Sequence, residues 1–148
     1  MTAQWTWRAG ALTNAEGHEL ASVRDGVLAT AAGERLALES SLDSSSPRFF
    51  LRAQTPAGED FSVTQAGSTV TRLRATGADR EYLLDRRTPF RRERRIGARG
   101  TGAEVASTAP AGDGLRVSVG VGELPELDAI FLSYACALLD TTPRTLRT

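Results

Sequence analysis

Short runs of alternating apolar and polar residues fill the chain from Trp5 to Val121, each bounded by Gly, Pro, Ser, Asn or Asp. A side-chain period of two marks half-buried strands, and the bounding residues favour turns for backbone reasons. Two extended runs between Trp5 and Val23 flank Asn14-Ala15-Glu16-Gly17 and predict a hairpin. Further strands are predicted at Arg35 to Glu39, Arg48 to Ala53, Asp60 to Thr64, Thr69 to Arg74 and Arg80 to Leu84. Between them lie turn candidates at Ser44-Ser45-Ser46-Pro47, Pro56-Ala57-Gly58, Ala66-Gly67-Ser68 and Thr76-Gly77-Ala78-Asp79. A weak internal echo relates Gly17-His18-Glu19-Leu20-Ala21-Ser22-Val23 to Gly102-Ala103-Glu104-Val105-Ala106-Ser107-Thr108, as in a sheet that repeats a hairpin around a shared core. Leu115 to Val121 predicts the last strand, with Leu115, Val117, Val119 and Val121 on one face.

The stretch from Leu124 to Asp140 breaks this pattern and predicts one helix, about 125–140, with almost no polar side. Pro125 suits its start, Glu126 and Asp128 complement the positive end of the helix dipole, and Pro143 prevents continuation. Leu127, Ile130, Phe131, Tyr134 and Leu138 form a stripe of large residues, and Ala129, Ser133, Cys136 and Ala137 a side of small ones. Leu132 and Leu139 carry the apolar surface round the flank. A helix apolar all round must be enclosed, yet this one falls short of the roughly 18 to 20 apolar residues that cross a bilayer. The strands are therefore expected to wrap it. Burying its large side chains contributes about 10 to 20 kcal/mol before conformational entropy is subtracted.

Composition adds exclusions more than assignments. The 148 residues suit a single domain over 1–140 with a flexible polar tail at 141–148, and 18 basic residues balance 18 acidic ones, which selects no charged partner. Every basic residue is Arg, as in a GC-rich bacterial genome, so a Walker-type phosphate loop and Schiff-base chemistry, which need Lys, are excluded. With one cysteine, Cys136, and one histidine, His18, neither an intrachain disulfide nor a multi-Cys or multi-His metal site can form. No secretory signal pattern opens the chain, and a cytoplasmic location is expected.

The order of these pieces resembles the Tubby C-terminal-like superfamily, which includes Tubby proteins, phospholipid scramblases and LURP-one-related proteins. The resemblance is carried by Tyr82-Leu83-Leu84-Asp85-Arg86-Arg87, by Arg91-Arg92-Glu93-Arg94-Arg95-Ile96 followed by Gly102-Ala103-Glu104-Val105-Ala106, and by the helix beginning Leu124-Pro125-Glu126-Leu127-Asp128. It covers nearly the whole chain, which is short for that family. It implies a closed antiparallel barrel, or a strongly curved sheet, around a hydrophobic C-terminal helix. It also implies phosphoinositide binding through basic residues. No run of dense oxygen ligands supports a Ca²⁺ site like that linked to scramblases, so neither metal nor cofactor is expected.

The matching chemistry is an Arg cluster: Arg86, Arg87, Arg91, Arg92, Arg94 and Arg95, with Arg99 beyond them and only Asp85 and Glu93 opposing locally. If Arg91 to Ile96 is a strand, both of its faces carry charge, which predicts an exposed edge or protruding hairpin. Guanidinium forks there suit an anionic lipid headgroup or a phosphorylated ligand. A charged edge that blocks aggregation accounts for the same residues, and so does a protein partner. Nucleic acid is disfavoured, because only Phe90 interleaves an aromatic ring among the arginines. Trp5 and Trp7 share one face of a strand and suit core packing or barrel closure, a surface aromatic patch being the alternative. Gly97, Gly100 and Gly102 read as turn residues, and no nucleophile elbow is present. The sequence thus predicts a non-enzymatic binding or scaffold domain. A protein-interaction module, homo-oligomeric forms included, is the alternative to ligand binding, and an enzyme of unknown reaction the least supported reading.

Overall fold

The computed structural model describes residues 1–43 and 46–141 of the chain. Among these, twelve antiparallel strands follow one another around a closed barrel: β1 (Thr2–Arg8), β2 (Ala11–Asn14), β3 (Glu19–Arg24), β4 (Val27–Thr30), β5 (Arg35–Ser40), β6 (Phe50–Gln54), β7 (Asp60–Gln65), β8 (Arg72–Gly77), β9 (Arg80–Arg86), β10 (Arg94–Ala98), β11 (Glu104–Ala111) and β12 (Gly114–Gly120). Closure comes from β1, which pairs β2 on one side and β12 on the other, with Trp5 opposite Val117 and Trp7 opposite Leu115. The helix α1 (Glu126–Asp140) follows β12 and runs back through the barrel. Twelve strands enclose more space than side chains alone fill, and a helix supplies the missing volume.

Inward positions alternate along the strands as the pleat requires. Trp7, Leu12, Leu28, Leu36, Leu51, Val63, Leu73, Leu84, Ile96, Leu115 and Val117 are buried against Ile130, Phe131, Leu132 and Cys136 of the helix. Phe61 meets Phe131 edge to face at 5.5 Å, and Trp7 tilts against Tyr134 at 5.2 Å. The Trp7 indole N–H donates to Ser133 Oγ at 2.8 Å, and that hydroxyl donates to the Ile130 carbonyl at 3.1 Å, so the one polar group on the small-residue side is satisfied.

Several boundaries differ from expectation. The region from Trp5 to Val23 holds three strands, and β4 was not predicted at all. Both differences arise from two-residue turns, Ala9-Gly10 (φ 52° and 80°) and Asp25-Gly26 (φ 52° and 76°), whose left-handed pairs match the twist of the strands they join. The predicted strands at Arg48, Thr69 and Arg91 begin later, at Phe50, Arg72 and Arg94. The predicted edge is corrected as well: β10 pairs with β9 and with β11, since a closed barrel has no edge. The predicted turn at Ser44-Ser45 and the tail beyond Thr141 lie outside the described residues.

The internal echo has a structural counterpart. Register slips between Leu12 and Thr13 where β2 meets β3, so Ala21 pairs Leu12 and Glu19 pairs Thr13. It slips in the same way between Ile96 and Gly97, where Ala106 pairs Ile96 and Glu104 pairs Gly97. Leu20 and Val105 are the extra residues of matching bulges, each in a strand entered through a left-handed glycine, Gly17 or Gly102. Bulges of this kind bend strands at barrel rims.

Strict alternation of direction gives the barrel two chemically distinct ends. Among the described side chains, the loops and strand termini at the end where α1 finishes carry nine arginines against Asp25, Glu93, Asp113 and Asp140. The opposite loops and termini carry nine carboxylates, including Glu16, Glu19, Glu59, Asp60, Glu123 and Glu126, against Arg35, Arg80 and Arg99. Zero net charge therefore conceals an axial dipole. The helix dipole points its negative end at the basic rim, but half a charge accounts for only a small part of the asymmetry.

Candidate functional site

The Arg cluster surrounds the C-terminal end of α1, because β9 ends and β10 begins at that rim. The last helical residue, Asp140, is a carboxylate at the negative end of the dipole, an unfavourable position unless a cation meets it. Arg94 does so in bidentate fashion, Nε to Oδ2 at 2.6 Å and Nη2 to Oδ1 at 3.2 Å, with both side chains fully enclosed. Arg86 Nη2 adds a bond to Asp140 Oδ1 at 2.9 Å, and Arg92 Nη1 donates to the Asp140 carbonyl at 3.3 Å. Arg94 also donates to the Leu84 carbonyl at 3.2 Å, leaving its guanidinium well satisfied.

A second clamp holds the other end of the helix. Asp128, in the first turn, accepts from Arg80 Nε at 2.7 Å and Nη2 at 2.9 Å, and from the Tyr82 hydroxyl. These bonds, chiefly that to Asp128, raise the Arg80 pKa further, while burial and then the bond to Asp128 push the Tyr82 phenol above its ordinary value. Space for the carboxylate comes from Gly77, where a Cβ would lie 2.7 Å from Asp128 Cγ. Cys136, midway along the helix, is buried and its thiol is pushed up to about 12 by desolvation.

The six predicted ligand-binding arginines thus divide. Arg94 is wholly internal and Arg86 nearly so, both committed to Asp140. Arg87 and Arg95 lie on the outer surface and share Glu104, at 3.0 and 3.3 Å. Arg91, with its side chain 75% exposed, reaches Glu93 at 3.5 Å, and Arg92 is half-buried beside it. In these pairs five guanidiniums share three carboxylates. The loop that joins β9 to β10 also presents Phe90, 94% exposed, above an open depression of about 570 Å³ lined by Arg91, Arg92, Glu93, Ala109 and Pro110.

Sequence reasoning missed the four clamp residues Arg80, Tyr82, Asp128 and Asp140. A signal existed in Asp140, a charge ending a helix that is otherwise enclosed. Among the described residues no group of three or more His, Cys, Asp or Glu is placed to hold a metal ion, and no helix is long and apolar enough to cross a membrane. His18 is exposed in the loop between β2 and β3. No protein-family model, no curated protein and no solved structure matches this chain.

Proposed function

We propose that this chain is a non-enzymatic binding domain whose basic end engages phosphate-bearing anions, with anionic phospholipid headgroups at a membrane surface as its target. The observation that carries the reading is the excess of guanidinium over carboxylate that remains after internal pairing, in five arginines served by Asp140, Glu104 and Glu93. Arg87, Arg91 and Arg95 are the groups that touch the ligand, since their side chains are 43%, 75% and 48% exposed. Arg86 and Arg94 hold the helix and add only to the local field. Phe90 supplies an apolar side chain at the same rim, suited to the boundary between headgroups and acyl chains. The closed barrel around a C-terminal helix is the arrangement implied by the resemblance to Tubby C-terminal-like proteins, and it supports membership of that superfamily and the same reading. We place the protein in the cytoplasm, peripheral to the inner membrane surface.

Cosedimentation with neutral vesicles and with vesicles containing phosphoinositide, at low and raised salt, tests the proposal. Each surface arginine contributes about 1 kcal/mol, so the Arg87→Ala/Arg91→Ala variant is expected to lose about 30-fold in affinity. Competition by free inositol polyphosphate separates recognition of a soluble phosphate ligand from recognition of a surface. Absence of binding at low salt, or binding indifferent to the double substitution, sinks the idea.

A further inference from the structure

The barrel mouth opposite the Arg cluster contains a cavity of about 660 Å³, the size of a small-molecule site. The larger part of its wall is apolar, from Ala3 and Trp5 of β1, Leu20 of the first bulge, Val119 of β12 and Leu124 ahead of the helix, and Thr2, Gln4 and Asn14 add polar groups. Val121, 57% exposed, stands at the rim. Two carboxylates, Glu16 and Glu126, share the opening with the Met1 α-ammonium, and no arginine lines it. Glu16 is held there because Asn14 Oδ1 accepts the backbone N–H groups of Glu16 at 3.0 Å and His18 at 2.9 Å, which fixes the turn.

From this arrangement we infer that the cavity is a binding site for a small amphipathic amine, its apolar body against Trp5 and Leu20 and its ammonium group between Glu16 and Glu126. Three observations select that class. The apolar part of the wall favours a hydrophobic body, and the small exposed part of Trp5 adds an aromatic contact for a cation or ring. Carboxylates outnumber the one ammonium, that of Met1, at the opening. The whole end of the barrel is acidic, so an incoming cation is attracted and an anion repelled before contact. The positive end of the α1 dipole opens onto the same region but is offset within its first turn by Glu126 and Asp128, and Pro125 lacks an N–H to offer an anion. The site lies at the other end of the molecule from the anion-binding rim and does not rest on that reading.

Calorimetric titration of the intact protein with 4-phenylbutylamine, 4-phenylbutan-1-ol and 4-phenylbutyrate tests the inference, since the three share a body and differ in charge. The amine is expected to bind about fivefold more tightly than the alcohol, the yield of a half-exposed ion pair, and the carboxylate most weakly. Glu16→Gln/Glu126→Gln is expected to remove that fivefold preference while leaving the alcohol unchanged. In a ¹H–¹⁵N spectrum the amine shifts the indole resonance of Trp5 and leaves that of Trp7, which is bonded to Ser133 inside the barrel, in place. Failure of all three to bind at millimolar concentration overturns the proposal. So does carboxylate binding as tight as the amine's, an undiminished preference in the double variant, or a shift confined to Trp7.

Discussion

Arg94 and Asp140 form a fully buried bidentate ion pair, Nε to Oδ2 at 2.6 Å, between the first residue of β10 and the last residue of α1. The barrel wall is thereby tied to the far end of the helix inside it. Removing one partner of such a pair costs about 3 to 5 kcal/mol, because the other is left charged and enclosed, whereas replacing both by apolar residues is often close to neutral. Arg94→Met is therefore expected to lower the urea midpoint, and Arg86→Met/Arg94→Met/Asp140→Leu, which also removes the second guanidinium bound to Asp140, to recover most of the loss. A wild-type midpoint for Arg94→Met would show that the pair is incidental to the fold, and no recovery in the triple variant would contradict the desolvation account.

The opposite clamp predicts coupling between Gly77 and Asp128. A Cβ at residue 77 would sit within 2.8 Å of three carboxyl atoms, so Gly77→Ala forces Asp128 away from Arg80 and Tyr82. The expected loss is about 2 to 4 kcal/mol, the scale of a broken buried network. In an Asp128→Ala background the same substitution has room and is expected to cost little. A double-mutant cycle by denaturant unfolding measures the difference, and additive costs would contradict the steric account.

These clamps also explain what could be read from the chain and what could not. The enclosed helix was legible because apolar residues at every angle leave no face for water, and most strands were legible because their period is two. The strand β4 was missed because Val27–Thr30 is only four residues long, although Asp25-Gly26 before it is a strong hairpin signal. The Arg cluster was legible as charge but not as geometry. Arg94 lies 46 residues from Asp140, and no local pattern reveals that the two meet. Trp5 and Trp7 were placed correctly on one inward face, yet only the closed barrel shows that Trp5 also borders the open mouth while Trp7 is sealed inside.

Alkaline pH is expected to unfold the protein through groups whose proton is held by burial. Tyr82 and Cys136 both have folded pKa values raised above their ordinary values of 10.0 and 9.0. The unfolded chain ionises first, so the stability these groups lend is fully present below about pH 9 and declines as pH rises towards the folded values. Each titrating group steepens the decline by up to about 1.4 kcal/mol per pH unit. Tyr82→Phe is expected to cost about 1 to 3 kcal/mol at neutral pH, through the bond lost to Asp128, and to flatten the alkaline fall. Thermal melts from pH 7 to 11 check both signs, and a wild-type curve flat over that range would contradict them.

Cys136 reports on the same opening from the middle of the helix. Its thiol is fully buried and pushed up to about 12, so near neutral pH far less of it carries the reactive thiolate than in an unfolded chain. Native labelling by a thiol reagent is therefore expected to proceed only through molecules whose helix has left the barrel. The rate then tracks the population of that open state. Arg94→Met is expected to raise it by about two to four powers of ten, in proportion to the stability lost, while Arg91→Ala, at the exposed rim, leaves it unchanged. Rapid labelling of the native protein, or equal rates in the two variants, would mean that the helix is not held where Asp140 and Arg94 place it.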